Sequence, residues 1–135
     1  MMRPVQRRHW LAVRVLAAAL ALAAAPARAQ PDAVSLEQAR AEQQAGKAVL
    51  VDIREPDEHA TGVAPGARLL PMRQLPRRLA ELPRDQPVLL ICNTQNRSRA
   101  TLDALRALGW TNLRYVNGGM SEWTRRGWPT VPPTR

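Results

Sequence analysis

From position 34 onward the apolar residues switch repeatedly between helical spacing and short unbroken runs, and turn formers punctuate each switch. Residues 34–44 have helical spacing; Ser35 stands at the N-cap, Gln38 three positions on is placed to complete a capping box, and Gly46 stops the helix. Residues 48–52, Ala-Val-Leu-Val-Asp, form a β-rich apolar run of the kind buried on both faces in a parallel sheet. Glu55-Pro56-Asp57-Glu58 puts proline and acids where a first helical turn accepts them. Gly62, Pro65 and Gly66 then impose turns before a short strand at 68–70. Residues 72–82 have a helical pattern with Pro76 near the first turn and Pro83 at the end. A second buried strand is predicted at 88–91, a helix at 98–108 closed by Gly109, a strand at 112–116, and a last helix from Gly118-Gly119 to about Arg126, stopped by Gly127. The tail from 129 to 135, with three prolines, reads as an extended and poorly ordered end.

Strand and helix in alternation imply an α/β fold, a central parallel sheet of about five strands with helices on both faces. Binding sites in such sheets lie at the carboxyl ends of strands. Three polar stretches fall at those ends: Asp52-Ile53-Arg54-Glu55, the segment from Cys92 to Ser98, and Asn117-Gly118-Gly119.

The amino end has another character. Arg3, Arg7, Arg8 and Arg14 precede an Ala/Leu run of about eleven residues at 15–25, followed by Pro26-Ala27-Arg28-Ala29. A basic region, an apolar centre and an Ala-x-Ala site make a secretory signal peptide, so residues 1–29 are expected to be cleaved, leaving 30–135 as one exported, periplasmic domain. A stable membrane anchor is disfavoured, because a span needs about 20 apolar residues. Neither the general secretory nor the twin-arginine route is singled out by Arg7-Arg8.

This segment also changes the charge balance. The chain carries a net charge of +9, but five of its 20 basic residues precede position 30, which leaves 15 against 11 acids, or +4. The remaining basic residues are scattered, with pairs at Arg77-Arg78 and Arg125-Arg126, so nucleic acid is not an expected partner and small anions are. No His/Cys/Asp cluster has metal spacing and no phosphate-binding glycine motif occurs, so neither metal nor cofactor is called for. The lone cysteine cannot close an intramolecular disulfide, and an unpaired thiol in an oxidising compartment points to chemistry or to burial.

The chemistry centres on Cys92-Asn93-Thr94-Gln95-Asn96-Arg97-Ser98. A loop between a buried strand and a helix presents backbone N–H groups without helical partners and cradles an anion. With Cys92 in that loop and Arg97 five residues on, amides, helix dipole and guanidinium all favour an exposed thiolate, a sulfur nucleophile. The alternative is a small buried hydrophobe closing a strand. Asp52 and Arg54 end a strand beside the site; Gly118 and Gly119 read as residues allowing close backbone approach, and His59 as a surface helix residue not paired with Cys92. Trp110, Trp123 and Trp128 read as packing residues.

The motifs Val51-Asp52-Ile53-Arg54-Glu55-Pro56-Asp57-Glu58 with Gly62 and Pro65-Gly66-Ala67, then Cys92 to Ser98, then Tyr115-Val116-Asn117-Gly118-Gly119-Met120-Ser121-Glu122-Trp123, together resemble a single-domain rhodanese, a sulfurtransferase module. The resemblance covers almost the whole segment after residue 34 and implies the rhodanese-like α/β fold. It also implies that Cys92 takes a sulfane sulfur from thiosulfate or a persulfide donor and passes it to cyanide, a small thiol or a protein acceptor, while main-chain amides of 93–98 and Arg97 hold the anion. For Asp52 and Arg54 the resemblance implies structural support of the site. Four residues separate Cys92 from Arg97, as in sulfur-transferring members, whereas related phosphatases have five. Gln95 replaces the usual loop glycine, implying either backbone strain of roughly 1 kcal/mol or a loop that runs differently. Neutral Asn93 stands where thiosulfate-preferring members sometimes carry a basic residue, and Gly62-Val63-Ala64-Pro65-Gly66-Ala67 stands for Gly-His-Ile-Pro-Gly-Ala. The competing functions are a catalytically silent anion- or partner-binding module and a cysteine phosphatase or arsenate-type reductase.

Overall fold

The structure, a computed structural model, describes residues 31–134. The signal peptide expected at 1–29 lies outside the described residues. Five parallel strands form one sheet in the order β1-β5-β4-β2-β3: β1 Ala33–Val34, β2 Val49–Asp52, β3 Arg68–Leu69, β4 Val88–Ile91 and β5 Leu113–Val116. The helices are α1 Leu36–Gln44, α2 Pro56–His59, α3 Leu75–Arg78, α4 Asn96–Ala107 and α5 Gly119–Arg125.

Every residue of β4 is fully buried, because this central strand is covered on both faces. Alternate residues divide between two cores. Val88 and Leu90 join Val51, Leu75, Leu102 and Leu105 under α3 and α4, whereas Leu89 and Ile91 join Leu50, Leu36, Met120 and Trp123 under α1 and α5. An unbroken apolar run is thus what a strand between two helical layers requires. The register Asp52↔Ile91 and Leu90↔Tyr115 brings the carboxyl ends of β2, β4 and β5 side by side.

Several elements depart from the sequence pattern. Val34 belongs to an edge strand, not to α1: it pairs with Val116, and its carbonyl accepts the Asn117 N–H. Ser35 caps α1 by accepting the Gln38 N–H at 3.1 Å, but the reciprocal half of the box is missing because the Gln38 side chain turns to Glu42. The helix predicted over 72–82 is broken into a 3₁₀ turn at Met72–Gln74, the single turn of α3 and a second 3₁₀ turn at Leu79–Glu81. Pro76 explains the first break, since it has no N–H for the Met72 carbonyl and its ring crowds that group.

The tail is extended but firmly held, contrary to the loose end its prolines suggest. Val131 forms an antiparallel bridge with Val63, with both N–H···O contacts at 2.9 Å, and Trp123 Nε1 donates to the Pro129 carbonyl.

Leu90, without solvent contact at the centre of the sheet, gives a direct measure of this packing. Leu90→Ala is expected to cost about 3 kcal/mol, read as a lower urea midpoint with an unchanged slope.

Candidate active site

The loop after β4 is shaped mainly by α5. The first turn of α5 has N–H groups without helical partners. Met120 N–H donates to the Cys92 carbonyl at 2.8 Å and Ser121 N–H to the Asn93 carbonyl at 2.9 Å. In a trans peptide the N–H points opposite the carbonyl of the same unit. Fixing these two carbonyls toward α5 therefore turns the Asn93 and Thr94 N–H groups the other way, and neither has an acceptor among the described residues. The approach is close enough to need a glycine: a Cβ on Gly119 (φ +56) would lie 2.2 Å from the Thr94 carbonyl oxygen and 2.4 Å from that of Cys92. Gly118 (φ +79) contributes differently, donating its N–H to Gln95 Oε1 at 3.2 Å.

Cys92 is fully covered and belongs to the core beneath α3 and α4, so the exposed sulfur expected from the sequence is not what the structure holds. The reason lies in α4, which starts at Asn96, two residues earlier than predicted. Gln95 occupies the N-cap but makes no capping bond with its side chain; the Cys92 sulfur instead accepts the Ser98 N–H at 3.4 Å. A sulfur that caps a helix from below faces inward. Buried Ser98 completes the arrangement, its Oγ 3.4 Å from Sγ and donating to the Gln95 carbonyl at 3.1 Å. A hydroxyl rotor of this kind can accept from a thiol or turn to donate to a thiolate.

Asn93, Thr94 and Asn96 are exposed, and Thr94 Oγ1 accepts the Asn96 N–H at 3.4 Å. Gln95 has φ −150°, and no residue other than glycine has positive φ among the described residues, so its replacement of glycine creates no left-handed strain. Its side chain ties the Cys92 loop to the Gly118 turn instead.

Arg97 extends to Glu58 rather than to the sulfur: Nη1 donates to Oε2 at 2.7 Å and Nη2 to Oε1 at 2.6 Å. Their side chains are 32% and 29% exposed. The Arg97 hydrogen bonds hold the Glu58 carboxyl down at about 2, against an opposing desolvation, and Glu58 in turn raises the Arg97 guanidinium.

Asp52 and Arg54 make a separate, buried pair. Asp52 Oδ1 accepts the Arg54 N–H at 3.0 Å and Oδ2 accepts Nη2 at 2.7 Å, while Nη2 also donates to the Gly62 carbonyl. This network supports the β2–α2 loop and does not reach residues 92–98. His59, expected on the surface, is 4% exposed, with Nε2 3.3 Å from Asp52 Oδ1 but without well-formed hydrogen-bond geometry. The single turn of α2 directs it inward, because its register leaves Asp57 and Ala60 outside.

Sequence reasoning missed Glu58 as a site residue. Its spacing from Glu55 announces a capping box, and Glu55 N–H does donate to Glu58 Oε2 at 3.0 Å, but a partner 39 positions away leaves no local trace. A surface cavity of about 660 Å³ lies at the other end of the sheet beside Asp32, Pro87 and Asn112, away from the Cys92 loop.

With this geometry in view, the chain was compared with known proteins. Residues 35–126 match the family model described as a rhodanese-like domain. A sulfurtransferase of Allochromatium vinosum is 39% identical over 85 residues, covering 63% of this chain and 79% of the relative. A rhodanese-related protein of Thermoplasma volcanium superposes with TM-score 0.68 at 27% identity, over 76% of this chain and all (100%) of the other. The human single-domain sulfurtransferase superposes with TM-score 0.63 at 26% identity, over 72% and 98%. The chain belongs to the rhodanese-like domain family, and its sulfurtransferase relatives support a rhodanese-type transferase at the level of that family.

Gly119→Ala is expected to destabilise the fold by about 3 kcal/mol, the sum of an overpacked contact and a left-handed alanine, visible as a lower urea midpoint. A pH series probes the Arg97–Glu58 pair. The Glu58 carboxyl falls from an ordinary 4.5 to about 2 on folding, so the unfolded chain binds more protons in between. Its stabilisation is complete above about 4.5 and is lost as the pH falls through about 2. The difference in unfolding free energy between wild type and Glu58→Gln should accordingly shrink between pH 6 and pH 2.

Proposed function

We propose that this protein is an exported sulfur carrier in which Cys92 takes a sulfane sulfur from thiosulfate or a persulfide donor and delivers it to cyanide or a thiol, a protein thiol included. The Cys92 thiolate attacks the outer sulfur of the donor, the donor S–S bond breaks, and the rest of the donor, sulfite from thiosulfate or a thiolate from a persulfide, leaves with the bonding electron pair. Cyanide or an acceptor thiolate then attacks the terminal sulfur of the resulting persulfide and releases the Cys92 thiolate. The two steps balance without an external oxidant or reductant.

The observation that carries this reading is the sulfur's position at the start of α4, where the Ser98 N–H meets it and neighbouring loop amides remain unpaired. Donors already in place cost no reorganisation when negative charge reaches the terminal sulfur. Since Cys92 is covered, sulfur entry requires the loop 93–97 to open. Its tethers are the grip of α5 on two carbonyls, the Gln95–Gly118 bond, the Ser98 hydroxyl on the Gln95 carbonyl and the Arg97–Glu58 pair. Thiosulfate is one donor within this reading, and the neutral Asn93 weights it no more than a persulfide.

The full burial of Cys92 favours a second reading, a rhodanese-fold module that binds an anion or partner without transferring sulfur. Intact mass spectrometry separates the two. Protein from the native host, treated with thiosulfate, should gain about 32 Da, the mass of one sulfur, mapping to Cys92. Cyanide should remove the gain as thiocyanate, and Cys92→Ser should show none. No gain with thiosulfate or with a small-molecule persulfide would leave the silent module. In the same spectrum a mature chain beginning at Gln30 would support export, whereas intact residues 1–29 would count against it.

A further inference from the structure

We propose that Glu58 is a tethered anion that occupies Arg97 in the resting site, so an anionic sulfur donor is admitted by exchange of one anion for another. The identity of that anion rests on the sulfur-carrier reading; the exchange itself rests on the geometry. Arg97 is the cation of the Cys92 loop, and Glu58 accepts its only side-chain hydrogen bonds among the described residues. A bidentate carboxylate presents to a guanidinium the two-oxygen edge that a sulfonate or sulfate would present. The Arg97 guanidinium is thus occupied by a mimic of its ligand, and an incoming dianion meets a guanidinium already neutralised, with a carboxylate beside it.

The Arg54–Asp52 pair shows by contrast what a permanent bridge looks like in this protein. Its side chains are 4% and 0% exposed, and Arg54 has further acceptors at the Glu58 and Gly62 carbonyls. Opening it would strand a buried charge without a partner. Arg97 and Glu58 are each about a third exposed, so water can receive both when they part. Glu58 also has somewhere to stay: Oε2 keeps the Glu55 N–H and remains at the start of α2, which favours its charge. The Arg97 side of the exchange therefore leaves no buried group without a partner. With the Glu58 carboxyl held at about 2, the latch is charged at every pH where the protein would work, and it opens by ligand competition, not by protonation.

Glu58 would then set how strongly the site selects anions. Substitution by glutamine removes the charge while retaining an oxygen for the Glu55 N–H, so the capping bond of α2 survives. The test is anion binding, measured in a Cys92→Ser background that cannot take up sulfur. Isothermal titration with sodium thiosulfate and with sodium sulfate, at constant chloride, should give a dissociation constant roughly fivefold or more lower for Cys92→Ser/Glu58→Gln than for Cys92→Ser. If Glu58 only positions Arg97, the same change weakens binding; unchanged or weaker binding in a variant with a normal unfolding midpoint overturns the proposal. A second measurement needs no change at Glu58. In Cys92→Ser itself the Arg97 Nε–H resonance should move on titration with sulfate, and a resonance that stays fixed while sulfate binds overturns the exchange. Tighter binding by the glutamine variant without any 32 Da gain on Cys92 in the wild-type protein would retain the latch and remove the sulfur carrier, whereas a gain without tighter binding would do the reverse.

Discussion

The contact on which the site depends is between backbones. Two carbonyls, those of Cys92 and Asn93, are held by the N–H groups of Met120 and Ser121, and the absence of a side chain at Gly119 lets the two segments meet. That contact decides which way the peptide groups of the loop face, and hence which side of the loop carries N–H groups and which carries oxygens. A cysteine at the end of a strand has no special chemistry by itself. It acquires some here because β4 and β5 are neighbours in the sheet, so that the turn after β5 falls beneath the turn after β4.

Around this backbone core the charged groups divide into two kinds. Asp52 and Arg54 form a buried ion pair that packs with His59 on the inner side of α2 and braces the loop after β2. Glu58 and Arg97 lie nearer the solvent and join α2 to α4, the two helices that follow β2 and β4. The short helix α2 therefore contributes to both: its inner side completes a rigid support, and its outer side faces the guanidinium that serves the sulfur loop. This division follows from burial, since the free energy of separating an ion pair rises steeply as water is excluded from it.

The parts of the fold legible in the sequence are those where one local pattern has one physical outcome. The runs at 49–51 and 88–91 are apolar on both faces, which only a strand between two helical layers requires, and Gly109 and Gly127 stop α4 and α5 with φ of +92 and +70. The cysteine loop was legible because polar residues follow a buried strand abruptly. What was not legible depends on distant partners. Ala33–Val34 becomes a strand only because β5 offers an open edge. His59 is buried because Asp52 lies inside, and Glu58 meets Arg97 because β2 and β4 are adjacent. Cys92 faces inward because Ser98 stands at the third position of a helix whose first residue the pattern placed too late. The Met72–Glu81 region combined two signals, periodicity and Pro76, and the proline prevailed.

The bridge between Val63 and Val131 has a consequence at a distance from the tail itself. Val63 follows Gly62, whose carbonyl is one of the acceptors of the Arg54 guanidinium. The final described residues thus work as a strap across the segment that anchors Arg54, and a protease that clipped the chain ahead of Val131 would slacken the loop after β2 without touching it. The far end of this polypeptide is in that sense a splint for its middle.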